Sequence, residues 1–264
     1  MSESISSNLS LSALPSSNQR RSGIGARPWL LIFDLDGTLI DSSVDLCNSV
    51  NAALSFVGKP PLPQDAVARF VGDGAAMLVR RALQASEDHP SLSEDPSLRE
   101  TIFETAFAHF LSHYREHKLD NTRLYPGVLE SLEQIRGRNP DLPMAVLTNK
   151  PVNPSRQICA ALGIAPYFFA NYGGNSFATK KPDPEGLLAL VSEARALSND
   201  ADPDHTPPEG VIMVGDSGVD VQTARAAGAR CLGCTYGLAP DTLLAAGPDW
   251  TVDSAADWPN ALAL

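Results

Sequence analysis

The run Leu30-Leu31-Ile32-Phe33-Asp34-Leu35-Asp36-Gly37-Thr38-Leu39 constrains the fold more than any other stretch of the chain. A short apolar block bounded by Asp and Gly predicts a buried parallel strand that stops abruptly in a turn. Two carboxylates stand at its end, two residues apart. Buried charges need partners, so packing alone does not account for them. In an open α/β sheet, ligands bind at the carboxyl ends of strands. Asp34 is placed there to attack or to hold a metal, and Asp36 is near enough for acid–base work.

The next strand arrives late. Met144-Ala-Val-Leu147 is the second apolar block, and more than a hundred mostly helical residues precede it. That is too long for an ordinary crossover, so the intervening stretch predicts an inserted helical cap. Helices are expected from Asp41 to Val57, where Gly58-Lys59-Pro60-Pro61 stops the first, then from Ala75 to Leu83 and from Leu98 to His117. The expected division is a disordered tail over 1–27, a core made of 28–45 and 123–264, and a cap over 46–122. The fold class is α/β: a Rossmann-like, doubly wound parallel sheet with an inserted α-helical cap domain.

The later strands also end in polar chemistry. Met144–Leu147 runs into Thr148-Asn149-Lys150, where a hydroxyl and backbone amides suit phosphate oxygens. A third strand is expected near Tyr167–Asn171, ahead of Gly173-Gly174. In Lys180-Lys181-Pro182-Asp183-Pro184 the prolines fix the entry to a helix and can hold an adjacent lysine rigidly. Val211-Ile-Met-Val214 ends in Gly215-Asp216-Ser217-Gly218-Val219-Asp220, repeating the plan of the first strand. Cys231–Tyr236 and Trp250–Val252 read as short edge strands. In the cap, Gly72-Asp73-Gly74 opens a helix and can bring N–H groups to an anion.

The formal net charge of −11 argues against nucleic acid or an anionic membrane as a partner. An acidic chain that binds phosphate must build a local positive site from metal, lysine and backbone N–H groups. No run is long enough to span a membrane as a helix. Cys47, Cys159, Cys231 and Cys234 form no disulfide framework, which points to a reducing, cytoplasmic setting. Cys231 and Cys234 have zinc-type spacing without a second pair and read as structural. On the third helix Phe103, Phe107, Phe110 and Tyr114 make a packing stripe, and His109, His113 and His117 read as a solvated face. The Ser- and Arg-rich, acid-poor leader reads as a disordered tail with no part in the chemistry, an organelle transit peptide being the alternative.

Asp34-Leu-Asp36-Gly-Thr-Leu resembles the signature of the haloacid dehalogenase superfamily, most of whose members are phosphatases. Thr148-Asn149, Lys181 and Gly215-Asp216-Ser217 follow in the order of that superfamily's other motifs, and the insertion looks like its C1 cap class. Phe70-Val-Gly-Asp-Gly-Ala, Leu147-Thr-Asn-Lys-Pro151, Lys180-Lys-Pro-Asp-Pro184 and Thr235-Tyr-Gly237 make the chain similar to bacterial phosphoglycolate phosphatases. Asn175 departs from that pattern, which often has Asp after the paired glycines.

The resemblance implies an Mg²⁺-dependent phosphomonoester hydrolase that works through an aspartyl-phosphate. Asp34 is the expected nucleophile and Asp36 the acid–base. Thr148, Asn149 and Lys181 (or Lys180) are the expected phosphate ligands. Mg²⁺ is expected on Asp34, Asp216 and the Asp36 backbone carbonyl, with Asp220 orienting the metal shell or the lysine. In the cap, Gly72, Gly74, Arg80 and Arg81 are the candidates for selecting a small phosphorylated metabolite such as 2-phosphoglycolate. N-acetylmuramic acid 6-phosphate, pyrophosphate and a β-phosphoglucomutase-like transfer are the alternatives. A monomer or homodimer is expected.

Overall fold

The computed structural model describes residues 28–86, 96–197 and 208–264. The tail expected over 1–27, and most of the loops expected over 89–96 and 199–210, lie outside the described residues.

Six strands form one parallel sheet: β1 (Leu30–Phe33), β4 (Met144–Leu147), β5 (Ala170–Tyr172), β6 (Val211–Gly215), β7 (Arg230–Cys234) and β8 (Trp250–Val252). Their order is β5-β4-β1-β6-β7-β8. The chain winds outward from β1 through β4 to β5, then returns to β1's other side and winds outward again. Strand order therefore reverses at β1, and the crevice for a ligand opens at its carboxyl end.

Alternation in β1 explains the layers. Leu31 and Phe33 face a core shared with Val128, Leu132 and Ile135 of α5 (Val128–Arg138) and with Trp258. Leu30 and Ile32 face the opposite core, against Leu187, Leu190 and Ala194 of α7 (Glu185–Leu197) and Val221 of α8 (Gly218–Ala226). All four β1 side chains are fully buried. Each contributes about 1.5–3 kcal/mol of apolar burial. A strand with both faces covered holds its register firmly, so the residue that follows it is placed firmly too.

The chain leaves and re-enters the core through an antiparallel pair, β2 (Ile40–Asp41) with β3 (Arg123–Leu124). Between them lie α1 (Ser43–Phe56), α2 (Gln64–Ala68), α3 (Ala75–Ala85) and α4 (Pro96–His117). These helices share a core of their own, including Leu46, Val50, Leu78, Phe103 and Phe110. Asp45, buried at the start of α1, accepts hydrogen bonds from the Asn121 and Thr122 backbone N–H groups. It also accepts from the Asn121 amide and the Thr122 hydroxyl. This carboxylate staples the outgoing chain to the returning one.

Two local expectations need correction. The third strand is β5 at Ala170–Tyr172, because Ala165–Tyr167 forms a 3-10 turn with Pro166 in its first turn. β7 is interior rather than an edge: it pairs with β6 on one side and β8 on the other. Its Gly233 packs beneath Leu243 of α9 (Pro240–Ala246), which covers the strand from outside.

The histidines of α4 lie on a half-exposed face, as expected of a solvated one, and make local contacts there. His113 Nδ1 lies 3.0 Å from Ser49 Oγ, His109 stacks on Phe56, and His117 pairs with Asp120 at 2.8 Å.

Candidate active site

The residues singled out at the three strand ends meet. Asp34 follows β1, Thr148 and Asn149 follow β4, and Asp216 follows β6. Adjacent parallel strands in register bring these ends side by side. All four residues are buried.

The Lys181 ammonium is the electrostatic centre. It lies 2.9 Å from Asp34 Oδ1 and 2.6 Å from Asp220 Oδ1. Burial alone would lower its pKa, but Asp220 and Asp34 outweigh burial and keep it protonated. Asp220 spends its other oxygen on the Ser217 backbone N–H and hydroxyl at the start of α8. Its carboxylate is thus engaged on both sides, by Lys181 and by Ser217. Lys180 points elsewhere: its ammonium donates to Asp73 O in the cap at 2.6 Å.

Asp34 Oδ1 also accepts from the Leu35 N–H at 2.7 Å, while Oδ2 has no partner among the described residues. Burial pushes the Asp34 carboxyl up to about 6 even though Lys181 pulls it down. Asp216 is pushed well above the usual carboxylate range, first by burial and then by Asp220 and Asp34. Its only donors among the described residues are the Leu238 N–H at 2.7 Å and the Thr38 hydroxyl at 3.3 Å. Gly37 and Gly237 wall it in: a Cβ at either position would overlap its carboxylate. Gly37 also has φ +87°, which favours glycine.

Carboxylate oxygens of Asp34, Asp216 and Asp220 lie within 4.8 Å of one another, the only such ligand cluster among the described residues. Three acids share one lysine there. The missing positive charge and the all-oxygen donors fit a hard divalent cation.

Asp36 lies beside this cluster and is held separately. Lys150 Nζ donates to its two oxygens at 2.8 and 3.0 Å, and the Ser42 hydroxyl donates at 2.5 Å. Lys150 is buried, and its ammonium lies 4.8 Å from the centre of the Tyr114 ring of α4. Reading the sequence missed this residue as a functional group. Its position directly after Thr148-Asn149, at the same strand end, was the available signal.

A cavity of about 330 Å³ opens between the helices and the sheet edge. Asp34, Asp36, Thr148, Asn149 and Lys150 form its floor, with Gly72, Gly74, Leu78, Phe110, Tyr114 and Arg115 on the cap side. Phe110 and Tyr114 thus serve both the cap core and the cavity wall. Asn149 ties the halves together by donating to Gly72 O and Lys181 O, each at 2.9 Å.

Arg80 and Arg81 do not line the cavity. Arg80 pairs with Glu100 on the surface and stacks on Phe103. Arg81 binds Phe70 O and the Asp73 carboxylate, bracing the Gly72–Gly74 loop from behind. Their positions on α3 turn both guanidiniums towards other cap residues.

The sequence model of the haloacid dehalogenase-like hydrolases matches residues 31–234, and the chain belongs to that family. Among its relatives is the phosphoglycolate phosphatase of Pseudomonas putida, 39% identical over 214 residues, covering 81% of this chain and 71% of the relative. The phosphoglycolate phosphatase of Chromobacterium violaceum is 36% identical, covering 85% and 92%. A crystal structure of a predicted phosphoglycolate phosphatase from Haemophilus somnus superposes with a TM-score of 0.77 at 31% identity, covering 89% of this chain and 98% of that one. The α/β core with its helical cap is the fold of these neighbours. Among the described residues no helix is long and apolar enough to cross a membrane.

Proposed function

We propose that this phosphatase hydrolyses 2-phosphoglycolate to glycolate and phosphate, in the cytoplasm, with Mg²⁺ as its metal. The observation that carries the reading is Asp34 itself: a buried carboxylate held by Lys181 and Leu35 N–H, with its second oxygen unpartnered among the described residues and beside a cavity. The names of the relatives supply the substrate.

Asp34 attacks phosphorus, and the bond to the leaving oxygen breaks as an aspartyl-phosphate forms. Asp36 gives a proton to the departing alkoxide and then takes one from the water that hydrolyses the intermediate. Lys150 and Ser42 keep the Asp36 carboxylate aimed during both transfers. Lys181, Thr148 and the amides after β4 are the proposed partners of the phosphoryl oxygens. Asp34, Asp216 and the Asp36 carbonyl would hold Mg²⁺, with Asp220 holding the lysine rather than the ion. When bound, the ion offsets repulsion between the carboxylates and a phosphate dianion. The cap excludes water from the leaving-group side.

The cavity favours one second reading. At about 330 Å³, with Leu46, Val71, Leu78 and Phe110 on its wall, it has more apolar surface than a two-carbon acid covers. N-acetylmuramic acid 6-phosphate fits that description.

Phosphate release from a panel of phosphomonoesters and pyrophosphate, with Mg²⁺ or with chelator, tests these readings. The expected result is highest kcat/KM on 2-phosphoglycolate, abolished by chelation and by Asp34→Asn. A higher value on the muramic acid ester keeps the mechanism and replaces the substrate. Activity retained by Asp34→Asn overturns the nucleophile, and phosphate transfer to a second sugar hydroxyl identifies a mutase.

A further inference from the structure

Two of the cations that line the cavity make no ion pair among the described residues. Asp34 is paired with Lys181, and Asp36 with Lys150. The remaining charged residues of the wall are Arg115 and Lys118, both near the end of α4. Neither has a carboxylate partner among the described residues, although the chain as a whole carries eleven more acids than bases. The Lys118 ammonium donates to Arg115 O at 2.6 Å, while the Arg115 guanidinium has no hydrogen bond among the described residues. Arg80 and Arg81, by contrast, are both neutralised by acids. The cap therefore presents free positive charge to the cavity at one place only among the described residues.

We infer that Arg115, supported by Lys118, is the subsite for a carboxylate on the leaving group, so that the substrate is a phosphomonoester bearing a second anionic end. This rests on the phosphatase reading above and adds the residue that selects among phosphomonoesters. A guanidinium offers a planar pair of donors that match a carboxylate side by side, which an ammonium does not. A phosphate on the strand-end floor and a carboxylate on α4 would tie the two ends of the substrate to core and cap respectively. Cavity residues next to Arg115 agree with this placement: Tyr114 lies against Lys150, so α4 reaches the side of the site where Asp36 would release the alkoxide.

A competing explanation is that cations in the last turn of α4 complement the helix dipole. That role affects stability and has no preference among substrates. The deciding experiment compares 2-phosphoglycolate with 2-hydroxyethyl phosphate, which lacks the carboxylate, in wild type, Arg115→Ala and Arg115→Lys. Arg115 is exposed, so loss of one charge-assisted pair at the low end of its range predicts a fall of about 10-fold in the kcat/KM ratio of the two substrates in Arg115→Ala. The change is expected mainly in KM for 2-phosphoglycolate, with partial recovery in Arg115→Lys. Equal losses on both substrates, or a wild type with no preference for the carboxylate ester, overturn the subsite and leave the phosphatase reading intact. A wild type that hydrolyses no phosphomonoester overturns that reading, and the subsite with it.

Discussion

Replacing Lys150 with methionine keeps the apolar stem and deletes the cation that holds Asp36. The ammonium binds both Asp36 oxygens, and the two side chains are 4% and 11% exposed. Removing one partner of a buried ion pair costs about 3–5 kcal/mol, because the other charge is left without compensation. Asp36 retains the Ser42 hydroxyl and borders the cavity, so part of its charge regains solvent. The low end, about 3 kcal/mol, is therefore the expected loss. For a chain of this size that lowers Tm by roughly 6–12 °C. Acid–base groups that are correctly placed contribute about 10²–10⁴-fold, so losing the aim of Asp36 is expected to lower kcat by about 10²-fold. Thermal unfolding followed by circular dichroism gives the first quantity, and phosphate release at saturating substrate gives the second. The double variant Lys150→Met/Asp36→Asn carries no orphan charge and is expected to regain about 1–3 kcal/mol of the lost stability. A single variant within about 2 °C of wild-type Tm and about 3-fold of wild-type kcat would refute the reasoning.

Two further predictions concern stability and the metal. Asp45→Ala is expected to cost about 2–4 kcal/mol at neutral pH by leaving the donors of Asn121 and Thr122 unpaired, as read by urea unfolding. Burial alone would raise the Asp45 carboxyl, but the hydrogen bonds from Asn121 and Thr122 outweigh it and hold the group below its usual pKa. A carboxyl lowered on folding adds stability above its unfolded value, about 3.9, and that stability is lost as pH falls through the folded value. The gap between wild type and Asp45→Ala is therefore expected to be full at pH 7 and to shrink below about pH 4; a gap independent of pH counts against the staple. Gly37→Ala places a methyl group on the Asp216 carboxylate and forces φ +87° on a residue with a side chain. It is expected to abolish the rise in Tm that Mg²⁺ gives wild type, and an undiminished rise would count against Asp216 as a ligand.

The reach of the sequence differed from element to element for physical reasons. Leu30–Phe33, Met144–Leu147 and Val211–Val214 were legible because a doubly covered strand must be apolar throughout, and each is followed at once by polar residues. The long insertion was legible from spacing alone. Lys150 was not, because a lysine beside a strand end looks like surface until the strand order brings it to Asp36. Arg80 and Arg81 stood out as cations near a glycine loop, yet the direction of a helical side chain depends on how its helix packs. Their phase on α3 sends them to Glu100 and Asp73, while Arg115, on a different helix, reaches the cavity. The edge reading of β7 failed because the sequence shows a strand but not its neighbours, and pairing with β8 is what makes it interior.

The residues that flank Thr148 and Lys181 in sequence also touch the cap. Asn149, next to Thr148, donates to Gly72 O; Lys180, next to Lys181, donates to Asp73 O; and Lys150 meets the Tyr114 ring. By contrast, the β2–β3 pair and the Asp45 staple lie where the chain passes between the two parts. A rotation of the cap about that pair would break the first three contacts together and leave the staple whole. Such contacts are worth about 0.5–1.5 kcal/mol each, so these three together hold the cap to the core by a few kcal/mol. A substrate that bridged floor and cap, as proposed for Arg115, would add an amount of that size and would favour the arrangement in which these contacts are made. Because the same short loops carry Lys150 and Lys181, closure and the alignment of Asp36 and Asp34 are linked in one network of contacts.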